Sequence, residues 1–149
     1  MASAPARPFE YDVFISYRQR EPDRGWVRST LLPGLKREGF RVFIDFECFR
    51  LGAAVVDEME RAVLESRYTV AVLTPEYLRS QFTKVENLMA EHLGLEQGRR
   101  RLIAVLRSEC DPGLRIRMRL WLDMTDDTQF ENNMARLASQ LRLQPGENG

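Results

Sequence analysis

Lysine, histidine and cysteine are scarce in this chain of 149 residues. Lys36 and Lys84 are the only lysines among 22 basic residues, which 22 acidic residues balance. At formal net charge zero, no global field favours nucleic acid or an anionic membrane, and neither is expected as a partner. The preference for arginine over lysine has the look of GC-rich coding and points to a bacterial or algal source. A single histidine, His92, and two distant cysteines, Cys48 and Cys110, argue against a zinc site and a disulfide framework; reduced thiols and no metal are expected. No apolar run approaches the length of a membrane helix, and Met1 to Pro8 lack the apolar core of a signal peptide. A cytoplasmic protein is expected. Three motifs are also missing: G-x-G-x-x-G after the first strand, a Walker A loop and a G-x-S-x-G elbow. A dinucleotide held in the usual Rossmann manner, P-loop chemistry and an α/β serine hydrolase are therefore not expected.

What is present suits one globular domain. The hydrophobic fraction is 44%, enough for a core. Residues 1–8 read as a disordered lead-in, 9–142 as the domain, and 143–149 as a tail or a linker to a further module. Val13, Phe14 and Ile15 centre a first strand at 11–17, buried on both faces. Trp26, Val27, Leu31, Leu32 and Leu35 recur at helical spacing over 23–37. Pro33-Gly34 should kink the last turns of that helix. A second strand spans 40–46, a second helix 53–66 and a third strand 68–73. Ser80 can cap a third helix running to about 97, which Gly98 stops. A fourth strand covers 102–106. Strict alternation from Leu114 to Leu122, with Arg115, Arg117 and Arg119 on the other face, describes an edge strand. A last helix begins near Thr128 after Asp126-Asp127.

Alternating strands and helices imply a flavodoxin-like α/β fold, a five-stranded parallel sheet of order 2-1-3-4-5 with helices on both faces. Ligands bind such sheets beyond the strands' carboxyl ends, where the winding reverses. That directs attention to Arg18, the 45–52 loop and the stretch from Thr74 to Glu86. Each candidate there has a plain alternative. Glu86 shares a helix face with Phe82, and its spacing alone favours a surface glutamate on an amphipathic helix. Asp45 ends a strand and could meet a ligand or form a turn. Arg18 could pair with a phosphate or with Asp45. Tyr17 could stack on a base or close the core. His92 falls on an apolar helix face and reads as a satisfied core histidine. Cys48 has nothing beside it to lower its pKa and reads as inert.

Tyr11-Asp12-Val13-Phe14-Ile15-Ser16-Tyr17-Arg18, Gly39-Phe40-Arg41-Val42-Phe43-Ile44-Asp45, Leu73-Thr74-Pro75-Glu76-Tyr77 and Phe82-x-x-x-Glu86 together resemble a Toll/interleukin receptor (TIR) domain, from about 9 to 142. The resemblance implies the flavodoxin-like fold. It also implies partners: other TIR domains, through self-association that can extend to filaments. The aromatic-x-x-x-Glu motif is similar to that of the NAD+-cleaving branch, of bacterial or plant/algal type, with Phe82 where Trp is commonest. The proline that many receptor members carry in the 45–52 (BB) loop is absent. By that resemblance NAD+ is a substrate and no cofactor is required. Glu86 is the catalytic carboxylate. Tyr17, Arg18, Asp45, Phe46 and Phe82 bind substrate. Glu47, Cys48, Phe49, Arg50, Leu51 and Gly52 form an assembly loop. The implied activity is that of an assembly-activated NAD+ glycohydrolase or cyclase in immune or anti-phage signalling; the alternative is a non-catalytic TIR adaptor.

Overall fold

The computed structural model describes residues 9–111 and 121–145. Runs of β-branched and aromatic residues form the strands: β1 (Tyr11–Ser16), β2 (Val42–Phe43), β3 (Ser66–Leu73), β4 (Leu102–Leu106) and β5 (Leu122–Asp123). They make one sheet in the order β2-β1-β3-β4-β5, all parallel, as the alternation of elements predicts. Val13 pairs with Val42 on one side and with Tyr68 on the other, so β1 and β3 occupy the middle and the winding reverses between them. The arginine-bearing alternation at 114–120 lies outside the described residues.

Alternation along β1 divides the core in two. Val13, Ile15 and Tyr17 face α1 (Asp23–Trp26), a π-helical turn (Val27–Leu31), α2 (Leu32–Arg37) and the C-terminal α8 (Phe130–Leu141). Phe14 faces α4 (Val55–Glu65), α5 (Pro75–Ser80) and α6 (Phe82–Leu93). The π turn ends two residues before Pro33, upstream of the last turns where the sequence places the disturbance. Proline brings no N–H for the carbonyl four residues back and its ring crowds that turn, so the helix widens there.

Several boundaries differ from the sequence expectation. The 40–46 segment pairs only at Val42–Phe43, because Asp45–Cys48 turns into a short helix, α3. The long third helix is broken: α6 ends at Leu93, Gly94 takes φ +82°, and α7 (Leu95–Arg101) follows with Gly98 buried inside it. Gly94 is therefore the stop, since the left-handed region suits a residue without a Cβ. Ser80 is not the N-cap of α6; it ends α5, and its hydroxyl donates back to the Glu76 carbonyl. His92 is at the surface, its Nε2 2.8 Å from Glu60 Oε1, not in the core. Thr128 behaves as expected: its N–H donates to Asp126 at the entry to a short 3-10 turn (Asp127–Gln129) ahead of α8. Among the described residues no helix is long and apolar enough to cross a membrane.

Candidate functional site at the carboxyl edge of the sheet

Two hollows lie beyond the carboxyl end of β1. The smaller, about 160 Å³, is lined by Ser16 and Tyr17 from β1's exit, Asp45 and Phe49 from the 45–52 loop, and Lys84 from α6. The larger, about 410 Å³, is lined by Arg18, Arg20, Glu76 and Ser80. Gln19 and Gln81 line both, so the two are compartments of one groove. Ser16 and Tyr17 project to opposite faces of the sheet, and the groove therefore wraps around the strand's end.

The floor of the smaller compartment is a buried polar network. The Tyr17 hydroxyl donates to Asp45 Oδ1 at 2.6 Å and accepts from Arg28 Nε at 3.1 Å. Arg28 Nη2 stands 3.8 Å from Asp45 Oδ2. Asp45 is only 8% exposed, and a carboxylate so enclosed requires a cation and a donor beside it. Burial, then the bond to Asp45, pushes the Tyr17 hydroxyl well above the usual tyrosine range, and Arg28 pulls the other way without prevailing. Arg28 also covers the Phe46 ring at 4.3 Å. The partner of Asp45 is thus Arg28, not Arg18.

On the opposite face the Tyr77 hydroxyl donates to Ser16 Oγ at 2.8 Å. Burial, above all, raises the Tyr77 hydroxyl's pKa; the Ser16 bond lowers it, and the negative charge of Glu86 adds to the rise. Glu86 is half-buried on α6, near enough to act on Tyr77, which touches Ser16 of the groove. Glu86 itself lines neither compartment. The Phe82 ring is 5% exposed and packs against Tyr77 at 6.0 Å, in the core and not in the groove. Asp23, buried at the start of α1, accepts from the Thr74 hydroxyl at 2.7 Å and ties together the two loops flanking the larger compartment.

The structure thus brings Tyr17, Asp45 and Phe49 to one compartment and Arg18 to its neighbour, and leaves Phe46 stacked outside. Arg28, Arg20, Gln19, Gln81 and Lys84 escaped sequence reasoning. Their type and spacing match any solvated helix face or loop, and only the placement of Arg28 and Lys84 on helical turns, and of Gln19, Arg20 and Gln81 on connecting segments, at the sheet's edge singles them out. Arg18, Arg20 and Lys84 make no ion pair among the described residues, whereas Glu76 is paired with Arg79. The groove therefore carries surplus positive charge. Among the described residues no group of three or more His, Cys, Asp or Glu is placed to hold a metal ion.

A parallel 2-1-3-4-5 sheet with a groove at its winding switch defines a flavodoxin-like α/β domain. Residues 13–138 match the family model of the TIR domain, and the chain belongs to that family. Toll-like receptor 6 of Bos taurus is 29% identical over 100 residues, 67% of this chain and 12% of the receptor. NAD(+) hydrolase TirS of Staphylococcus aureus (strain MSSA476) is 32% identical over 79 residues, 53% of this chain and 28% of that protein. The TIR domain of the Toll-related receptor TRR-2 from Hydra magnipapillata superposes with TM-score 0.73 at 22% identity, covering 89% of this chain and 99% of the other. The chain thus spans only a small part of these two sequence relatives.

Proposed function

We propose that this TIR domain cleaves the nicotinamide–ribose bond of NAD+, giving nicotinamide and ADP-ribose or a cyclic ADP-ribose isomer. Its setting is cytoplasmic immune or anti-phage signalling, and self-assembly activates it. The observation that carries the reading is the two-compartment groove: one part with unneutralised Arg18 and Arg20, the other with an apolar side at Phe49 and Met59 and a fixed carboxylate at Asp45. A dinucleotide has matching parts, an anionic pyrophosphate and a flat ring on a ribose. The similarity to NAD(+) hydrolase TirS points the same way.

In this reading Tyr17 and Asp45 orient the ribose, Arg18 holds phosphate, and Phe46 and Phe82 support the walls. Glu86 stabilises the positive charge that develops on the sugar. The C–N bonding pair leaves with nicotinamide, which departs neutral. A water oxygen, or a nucleophile of the same molecule, bonds to the sugar carbon and loses its proton. No second acid is needed, because the leaving group carries its charge beforehand.

The second reading is a non-catalytic adaptor that works through TIR–TIR contacts. The burial of Phe82 in the core and the exposed apolar residues Leu51, Val55 and Val56 favour it. Incubating concentrated protein with NAD+ and separating the products by chromatography discriminates. The catalytic reading expects nicotinamide release that falls about a hundredfold or more in Glu86→Ala. No release, or equal release by the variant, leaves the adaptor reading.

A further inference from the structure

The 45–52 loop is joined to α4 by a salt-bridged pair that the proposed chemistry does not use. Glu58 is buried, 4% exposed. It accepts the Arg50 backbone N–H at 2.5 Å and is bound by Arg61 through Nε at 3.2 Å and Nη2 at 3.1 Å. Arg61 Nη2 also donates to the Cys48 carbonyl at 2.7 Å, Nη1 bonds Glu65 at 3.1 Å, and the guanidinium covers the Phe43 ring at 4.9 Å. The two side chains therefore grip the backbone on either side of Phe49. That ring stands edge-on to Phe43 at 6.0 Å and forms part of the smaller compartment's wall. Residues 51–57 are exposed, Leu51 completely so. Val55 belongs to both regions: it is 66% exposed and still lines the compartment.

We propose that Glu58 and Arg61 are positioning residues that fix Phe49 as a wall of the groove. The physical reason is the economy of donors. Arg50 N–H and Cys48 C=O flank one residue, so displacing the loop must break both bonds and leave the buried Glu58 carboxylate short of a donor. Arg61, then the Arg50 amide, holds the Glu58 carboxyl below the usual range against the effect of burial. The grip therefore stays charged at neutral pH.

The kinetic half of this proposal rests on the NAD+ reading; the geometric half does not. Glu58→Ala, Glu58→Gln and Arg61→Lys are compared by NMR on the whole chain. In Glu58→Ala, exchange of the Arg50 amide should rise by about tenfold, the equivalent of one hydrogen bond. The Met59 methyl signal should shift, while that of Met134, on the other face of the sheet, stays. Glu58→Gln, which keeps an acceptor oxygen, should restore part of the protection. A protected Arg50 amide or an unmoved Met59 signal in Glu58→Ala overturns the proposal; if that variant does not fold, Arg61→Lys decides by the same two signals. Where the wild type cleaves NAD+, the variants should raise KM about fivefold or more with little change in kcat, and unaltered kinetics with an opened loop also overturns it. A wild type inert toward NAD+ refutes the catalytic reading and leaves the NMR result to decide whether Glu58 and Arg61 fix the loop.

Discussion

Tyr17 shows how much one side chain can hold. It closes one core, fills part of a groove and donates to a buried carboxylate that lies 28 positions away in the chain. Tyr17, Tyr77 and Tyr11 all have hydroxyls held above the ordinary tyrosine value of 10.0, with burial the largest cause in each. The folded state therefore keeps protons that the unfolded chain releases, and stability should be intact below about pH 10 and fall as pH rises beyond it. Alkaline titration should show phenolate absorbance appearing together with loss of far-UV circular dichroism. Gradual ionisation of these tyrosines in a folded protein would contradict it. Asp12 has the opposite sign. Burial raises its carboxyl, but bonds from the Arg41 backbone N–H and guanidinium outweigh that and hold it below the usual aspartate value of 3.8. Its stabilisation is present above that value and is lost as pH falls below it, toward the lower value of the folded state. Asp12→Asn should lower stability by about 2 kcal/mol at neutral pH and flatten the acid limb of a pH–stability curve measured by urea denaturation. Neither set of partners could be read locally: a tyrosine, an aspartate and an arginine at these spacings are compatible with many pairings.

At the scale of elements, the apolar stripes predicted helices in the right places but not their breaks. The apolar stripe points to Gly98 as the stop, whereas the chain stops at Gly94. The backbone distinguishes them: Gly94 adopts φ +82° with open space around it, while Gly98 is helical against Met89. Gly94→Ala should cost about 1 kcal/mol in left-handed strain. Gly98→Ala places a Cβ 3.4 Å from Met89, an ordinary contact, and the helix preference for alanine, up to about 1 kcal/mol, should make it neutral or stabilising. Thermal unfolding of the two variants checks the contrast, and equal losses would refute it. The three arginines after Gly98 read as one basic step, yet Arg101 is buried. It donates to the carbonyls of Val63, Ser66 and Arg67, where α4 hands over to β3. A helical phase that turns one arginine of three inward is a property of α7 as packed and not of its composition.

At the scale of the whole molecule, four of the six exposed large apolar residues among the described residues, Phe46, Leu51, Val55 and Val56, lie around one loop and the start of α4, while Leu64 and Leu95 stand apart from them in the chain. If this face mediates self-association, Leu51→Arg should lower the mass found by light scattering at high concentration. It should leave the melting temperature unchanged, because Leu51 is fully exposed and supports no core contact. An unaltered concentration dependence would remove Leu51 from the interface.

The sequence alone determined the order of elements, the parallel sheet with β1 and β3 at its centre, and membership of the TIR family. The first two depend on short-range patterns, β-branched runs and apolar periodicity, together with the right-handedness of crossovers, all of them local or general; the family rests on the motifs from Tyr11–Arg18 to Phe82-x-x-x-Glu86 and on the match of its model to residues 13–138. The tertiary structure decided the rest of the site. It gave Asp45 to Arg28 and freed Arg18 for a separate compartment. It drew Phe82 into the core against Tyr77, and it clamped the 45–52 loop through Glu58 and Arg61. Each of these outcomes joins residues far apart in the chain or chooses which way a side chain turns. The packing of helix against sheet sets both, and no local pattern encodes them.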